Sequence, residues 1–307
     1  MKSSDSAVLI PRPDQAVIAV PAPGLGSGFW AGCPSAVATD EGVYLAYRLR
    51  RPVGVGRGYA VGIAFAADGV SFGDPIAVIS KDAMNTESLE RPELVRLPDG
   101  GWRLYLSCAT TGTKHWRVEA TDAAHPAEFD VTRRDVVLPG DVRKRAVKDP
   151  VIQYHDGLWH MWATIHPLTD PLETDQMSTE YATSADGLDW TWHGTALSGR
   201  PGEWDSRGTR VTAVIQGPQA PARVTAYYDG RATAAENFEE RTGIAVGSDP
   251  VALIPTSRPG AGPAAASPHA GGALRYLDLV EMPGGRTRLY YELAQPDGSH
   301  ALVTELR

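Results

Sequence analysis

The sequence predicts an all-β chain folded as a five-bladed β-propeller, with roughly four antiparallel strands per blade and an N-terminal strand closing the last blade. Three observations carry that prediction. A unit of strand, tight turn and aromatic strand recurs along the chain, its first three copies are evenly spaced, and helical periodicity is scarce. The clearest copies are CPSAVATDEGVYLAYR from Cys33, RPELVRLPDGGWRLYLS from Arg91 and DPVIQYHDGLWHMWAT from Asp149, in which Pro34, Pro92 and Pro150 stand 58 residues apart. Two weaker copies, RVTAVIQGPQAPARVTAYYDG from Arg210 and YLDLVEMPGGRTRLYYEL from Tyr276, lack the proline but keep the strand, the turn and the aromatic strand.

Each hairpin is followed by a second, shorter pattern: YAVGIAFAADGVSF, HWRVEATDAAHPAEF, EYATSADGLDW, RTGIAVGSDPVAL and HALVTEL. Asp-Gly after an alternating run marks a hairpin, because those residues accept the positive φ of the turn. One repeat thus supplies about four strands, the content of a propeller blade. The blades are expected at 28–80, 87–139, 143–199, 203–258 and 269–307, forming a single domain over 1–307. The last blade runs out after three strands, and the alternating segment at 7–20 is expected to complete it by pairing near 299–306. A pair of β-sandwiches needs no such repeat, and a β-helix has shorter coils. The Pro/Gly/Ala-rich stretch at 255–272 reads as a long loop between the fourth and fifth blades.

Composition narrows the function. Hydrophobic residues make up 42% and charged residues 21% of 307, enough apolar surface for a real core. The net charge of −8 comes from 37 acidic and 29 basic residues spread along the chain, so no patch is built to follow a phosphate backbone and no nucleic-acid partner is expected. The N-terminus lacks the apolar core of a signal peptide, and no apolar stretch is long enough to span a bilayer. The expected location is therefore cytoplasmic, with no membrane partner. Cys33 and Cys108 fit neither a disulfide framework nor a zinc motif and are expected to be reduced. No cofactor is expected; an axial cation such as calcium and the oligomeric state are left open.

Innermost strands of a propeller line its axis, so equivalent positions in the repeat form a ring. Those positions are Cys33, Arg91 and Asp149, continued as Arg210 and Tyr276. Flanking positions add Trp30 and Gly32, Glu87 and Glu90, Arg145 and Lys148, and Asp205 and Arg207. Charges converging on a narrow channel either pair with one another or meet a polar ligand. Two or three carboxylates among arginines and aromatics suit a glycoside, whose hydrolysis needs one carboxyl group as acid and another to activate water or attack the anomeric carbon. Trp30, Trp116, Trp204 and Tyr276 are candidates for stacking on sugar faces, although blade packing also accounts for any one of them. His166 and His269 are expected in loops placed to reach the channel mouth.

These repeats, with the strand KDPVIQYHDGLWHMW, resemble the five-bladed β-propeller glycoside hydrolases: the arabinanase and xylosidase group (family 43), the invertase and levansucrase group (families 32 and 68), and families 117 and 130. The resemblance spans nearly the whole chain. It implies an Asp in blade one as base or nucleophile, an Asp in an (R/K)DP-like motif that orients the pair, and a Glu from a later blade as acid. Only the second matches directly, as Asp149 of Lys148-Asp149-Pro150. Cys33 stands where the blade-one Asp is expected, and no Glu-Gly-Pro or Glu-Cys signature marks the acid. Catalysis would then fall to Glu90 and Asp205 with Asp149, and the substrate-binding set is Trp30, Cys33, Arg91, Arg145, His166, Arg207, Arg210 and Tyr276. The expected activity is glycoside hydrolysis on a small or terminal sugar, acidic if the forks of Arg91 and Arg210 meet a carboxylate. The alternative is a non-catalytic carbohydrate-binding propeller that has lost the blade-one Asp.

Overall fold

The computed structural model describes residues 8–217 and 223–307, and within them strands connected by turns and a few 3-10 turns. After β1 (Val17–Val20), the strands β2 (Trp30–Thr39), β3 (Gly42–Arg50), β4 (Gly58–Ala66) and β5 (Ala77–Ser80) follow as an antiparallel meander. Three separate four-stranded sheets come next. They are β6 (Leu89–Arg96), β7 (Trp102–Ala109), β8 (Trp116–Ala123) and β9 (Asp135–Leu138); β10 (Arg145–His155), β11 (Leu158–Pro167), β12 (Ser178–Ser184) and β13 (Thr191–Ser198); and β14 (Gly208–Gln216), β15 (Val224–Arg231), β16 (Arg241–Gly247) and β17 (Ile254–Pro255). The chain ends with β18 (Leu274–Met282), β19 (Arg286–Ala294) and β20 (His300–Leu306). These three join β2–β5 in an eight-stranded sheet only through a parallel bridge between Trp30 and His300.

Turn chemistry sets the hairpins. Between β10 and β11, Asp156 and Gly157 hold φ of +51° and +80°, the paired positive values of a tight turn that suits the twist of the strands it joins. Alternation along the strands then buries one face against each neighbouring sheet. Tyr44, Ile63, Leu94 and Trp102 pack the first meander on the second, and Val95, Tyr105, Ile152 and Trp159 pack the second on the third. Trp162, Tyr181, Val214 and Tyr228 carry this to the fourth, and Tyr227, Leu274, Leu289 and Tyr291 to the last. Val43, Leu45, Val280, Tyr290 and Leu302 return the packing to the first. The inner strands β2, β6, β10, β14 and β18 contact one another in that order and close on themselves, surrounding one axis.

The N-terminal strand is shorter than the sequence suggested. Pairing with β20 is confined to Val17↔Thr304, Ile18↔Val303 and Val20↔Leu302. Residues 8–16 instead cross the surface, where Pro11 precedes a 3-10 turn at Pro13–Gln15, because prolines cannot donate to a ladder. Position 7 lies outside the described residues. Leu9 N–H donates to the Tyr227 hydroxyl (3.0 Å) and Arg12 N–H to the Glu305 carboxylate (2.6 Å), tying the segment to two sheets. Removing residues 1–20 is expected to uncover the edge of β20 and lower the thermal midpoint by at least about 5 °C. A deletion variant melting with the intact chain would show that this strand does not hold the ring. Among the described residues, no helix is long and apolar enough to cross a membrane.

Candidate active site

All five inner strands break register at the same level: between Gly32 and Ser35, Leu89 and Pro92, Lys148 and Val151, Val211 and Ala213, and Arg275 and Asp278. A bulge leaves residues out of the ladder and re-aims their side chains. At three of these bulges Cys33, Asp149 and Tyr276 take the left-handed conformation, with φ of +53°, +51° and +54°. Such backbone costs of order 1–3 kcal/mol and persists where neighbours hold it. The Asp149 amide donates to Ser107 Oγ (2.9 Å), and the Tyr276 amide donates to both oxygens of Asp229 (3.1 Å each). In the fourth copy the bulge residue is Thr212 and not Arg210.

The side chains of the bulges meet around Asp149. Its carboxylate accepts from the Arg91 amide (3.3 Å), from Arg210 Nη1 (3.3 Å) and from the Tyr276 hydroxyl (3.4 Å), and lies 3.2 Å from Lys148 Nζ. Glu90 shares two of those partners. It accepts from the same Tyr276 hydroxyl (3.3 Å), lies 3.7 Å from Lys148 Nζ and forms a close ion pair with Arg48. Lys148 and Tyr276 therefore couple the two carboxyl groups. Asp149 is fully buried, whereas the Glu90 side chain is 14% exposed and forms the outer face of the group at the mouth.

An outer layer of ion pairs encloses this centre. Glu292 holds Arg48 (2.9 Å), Arg275 (2.7 Å) and His300 (2.7 Å); Glu240 holds Arg275 (2.8 Å) and Arg231 (2.6 Å); Asp229 holds Arg210 (2.7 Å). Cys33 Sγ faces Glu292 Oε2 at 3.9 Å, and burial raises its thiol far above the usual range. Cys33 is thus a neutral thiol beside Glu292. Gly32 is required beside it, since a Cβ there would overlap the Glu292 carboxylate.

Burial alone would raise the carboxyl groups, and neighbouring cations decide the outcome. Lys148, Arg48, Arg50 and Arg275 outweigh burial at Glu90 and hold it well below the usual carboxylate range. Arginines do the same at Glu240 and Glu292. Burial prevails at Asp229, raised to about 6 despite Arg210, and at Glu93, raised to about 7 despite Arg91. His166 is pushed down to about 4 by burial and Lys148, so its imidazole is neutral. Its Nδ1–H donates to the Thr174 carbonyl (2.9 Å), and its buried Nε2 has no partner among the described residues.

These shifts fix a pH profile. Glu90, Glu240 and Glu292 are depressed, so the stability they contribute is present above the ordinary glutamate value of 4.5 and is lost as pH falls below it. Glu93 is raised, so its contribution is present below 4.5 and is lost as pH rises through about 7. The thermal midpoint should therefore fall steeply on the acid side of about pH 4.5 and decline gently from there to about pH 7. A midpoint flat to about pH 3 would contradict the assignment of ionised, paired glutamates.

The structure separates other candidates from the centre. Asp205 is buried against the Tyr228 hydroxyl (2.7 Å) and Arg200 (2.9 Å), inside the fourth sheet, because the chain before β14 turns outward under Trp204. Arg207 pairs with Asp175 (2.6 Å) and Glu173 (3.3 Å). Arg145 pairs with Glu180 (2.7 Å) and lines a groove with Trp190 and Trp192 between the second and third sheets. Trp204 stacks on Tyr228, and His269 is exposed without a central contact. Glu87 meets Arg57 (3.3 Å) on the surface. Arg91 and Arg210 do reach the centre, but Glu93, Asp149 and Asp229 already occupy their forks.

Four mouth residues come from elements that the repeat did not single out. Arg48 and Arg50 end β3 two positions apart and so share a face, a signal visible in the run YRLR. Phe238 and Glu239 lie in the loop between β15 and β16. Phe238 packs on Trp30 (ring centroids 5.3 Å), and burial raises Glu239 above the usual range despite Arg275. Trp30 and Trp116 are covered by Arg50 and Lys148, which takes both faces out of sugar stacking. A concavity of about 430 Å³ is lined by Ser35, Glu93, Ile152, Gln153, Gln216 and Asp278 among others, residues that follow the bulges along the inner strands.

No family model and no curated protein matches the chain. Solved structures do. A structure from work on the family-130 mannoside phosphorylases, a family said there to contain glycoside hydrolases that target β-1,2-mannosidic linkages in Candida mannan, aligns over 99% of this chain and 92% of its own, with a TM-score of 0.61 at 17% identity. A thermostable family-43 glycoside hydrolase aligns over 93% and 91%, with a TM-score of 0.64 at 12% identity. A family-32 β-fructofuranosidase from Bombyx mori aligns over 97% of this chain and 63% of its own, with a TM-score of 0.67 at 14% identity. All three are five-bladed β-propeller families. The likeness is one of fold.

Proposed function

We propose that the chain is a glycosidase-like enzyme, folded as a single five-bladed propeller, that binds a small or terminal sugar at the channel mouth and hydrolyses its glycosidic bond. On this reading the eight-stranded sheet is two blades, β2–β5 and β18–β20 with β1. The observation that supports it most is Glu90: an ionised carboxylate at the rim, clamped by Arg48 and Lys148 and coupled through Tyr276 to buried Asp149. A held carboxylate suits activation of water or attack on the anomeric carbon. Asp149 acts through Lys148 and Tyr276 as a positioning residue, since it is fully buried.

The acid is assigned to Glu239, on the mouth loop from the fourth repeat, in place of Asp205. Burial raises its pKa, the direction a general acid needs, and its buried Oε2 has no partner among the described residues. Glu239→Gln is expected to cut kcat about 100-fold on glycosides with poor leaving groups and much less on aryl glycosides with good ones. An equal loss on both classes would remove Glu239 from the acid role. Proteins of this fold act on sugars in the structures it resembles, which supports the substrate class but not its identity.

A further inference from the structure

We propose that the channel mouth carries an oxyanion clamp, the guanidinium of Arg50 stacked between Trp30 and Phe238, and that the sugar bound there is carboxylated. This rests on the glycosidase reading of the same mouth and names its substrate class. The other cations around the centre are each met by a carboxylate. Arg48 is met by Glu90 and Glu292, Lys148 by Glu90 and Asp149, Arg91 by Glu93, Arg210 by Asp149 and Asp229, Arg231 by Glu240 and Asp175, and Arg275 by Glu240 and Glu292. Arg50 has no carboxylate at ion-pair distance and no side-chain hydrogen bond among the described residues, although it is only 4% exposed.

Its surroundings hold it as a receptor. The guanidinium carbon lies 3.9 Å from the Trp30 ring centroid and 4.7 Å from that of Phe238, so aromatic faces cover the plane and leave the N–H edge free. The Trp30 indole N–H, a second donor beside it, is buried without a partner among the described residues. Phe238 holds φ of +77°, a strained conformation for a bulky residue. Its loop is fixed by Glu236, which accepts from the Ala232 amide (2.7 Å) and the Thr233 amide (3.0 Å) and pairs with Arg241 (2.6 Å). Burial with Arg48 and Arg275 nearby lowers Arg50 only to about 10, so it stays charged at neutral pH.

A cation this enclosed and without a carboxylate partner is only partly solvated, and an anionic ligand group would offset the solvation it has lost. One uncompensated charge behind a planar two-donor edge matches a planar monoanion, a carboxylate, better than a dianionic phosphate beside Glu90. Carboxylates already occupy Arg91 and Arg210, which explains why those arginines do not serve.

The test compares aryl α- and β-glucuronides and galacturonides with the matching glucosides and galactosides, with and without inorganic phosphate, for the wild type and Arg50→Gln. The expected result is a kcat/KM ratio favouring the preferred uronide by about 50-fold, collapsing towards unity in Arg50→Gln while the thermal midpoint stays within a few degrees. Phe238→Ala, which leaves the charge in place, should raise KM for the uronide several-fold with kcat little changed. Wild-type cleavage of neutral glycosides without a uronide preference overturns the clamp and leaves the glycosidase reading standing. Phosphate-dependent cleavage of neutral glycosides assigns the fork to phosphate and overturns the carboxylated sugar. If no glycoside is cleaved, the glycosidase reading fails, and calorimetric titration with glucuronate and galacturonate decides the clamp separately. Binding lost in Arg50→Gln supports it; no binding of either uronate overturns it.

Discussion

Glu90→Gln is expected to lower turnover of any cleaved glycoside by about 1,000-fold while the fold is retained, because the amide keeps the side chain's volume but removes the charge that acts in the transition state. The neighbouring Lys148 and Arg48 would then lose one of their two carboxylate partners, although each keeps the other, Asp149 or Glu292. Stability should therefore fall by only about 1–2 kcal/mol. Asp149→Asn should act more mildly on turnover, since it works through Lys148 and Tyr276, and should shift the pH profile of kcat as well as its height. The readouts are steady-state kinetics across pH and a thermal melt of each variant. Equal turnover in Glu90→Gln and wild type would show that the mouth carboxylate takes no part in chemistry.

Glu292→Ala is expected to have the largest effect on stability. Its carboxylate is fully buried and holds Arg48, Arg275 and His300, and it faces Cys33. Removing one member of a buried charge network leaves its partners uncompensated, which costs about 3–5 kcal/mol. For a chain of this size that is a fall of about 10 °C in thermal midpoint. Glu281→Gln, at an exposed position, is the control and should move the midpoint by less than about 2 °C. If the two variants melt together, the network is not what organises the mouth. Glu292→Gln should fall between them, because the amide still fills the space beside Gly32.

The fold was legible in the sequence because its punctuation is local. Pro34, Pro92 and Pro150 mark the start of equivalent strands, and Asp156-Gly157 fixes its hairpin by backbone conformation alone. The first, third and fifth ring positions followed, and Cys33, Asp149 and Tyr276 share the same left-handed backbone. In the fourth copy the register slipped, and the bulge residue is Thr212 where the repeat pointed to Arg210. The charge network was not legible for a different reason. Arg48 and Glu292 are 244 residues apart and sit on second strands, and repeat alignment ranks only the innermost ones. Asp205 looked central because it precedes β14, yet only the structure shows Tyr228 and Arg200 claiming it. An acidic ligand was read from Arg91 and Arg210, but the cation left without a carboxylate, Arg50, emerged only once Arg48, Arg91, Arg210, Arg231 and Arg275 were each seen to hold one.

The central claim is that Glu90 at the channel mouth performs glycoside hydrolysis, and the most direct measurement is release of the aryl alcohol from a panel of neutral and acidic aryl glycosides by the wild type and Glu90→Gln side by side. The account predicts turnover of at least one glycoside by the wild type and its near-complete loss in a Glu90→Gln protein that melts within a few degrees of it. No turnover by the wild type on the whole panel, with sugar binding seen by calorimetry, would contradict it and leave a carbohydrate-binding propeller in which Cys33 marks the lost carboxylate.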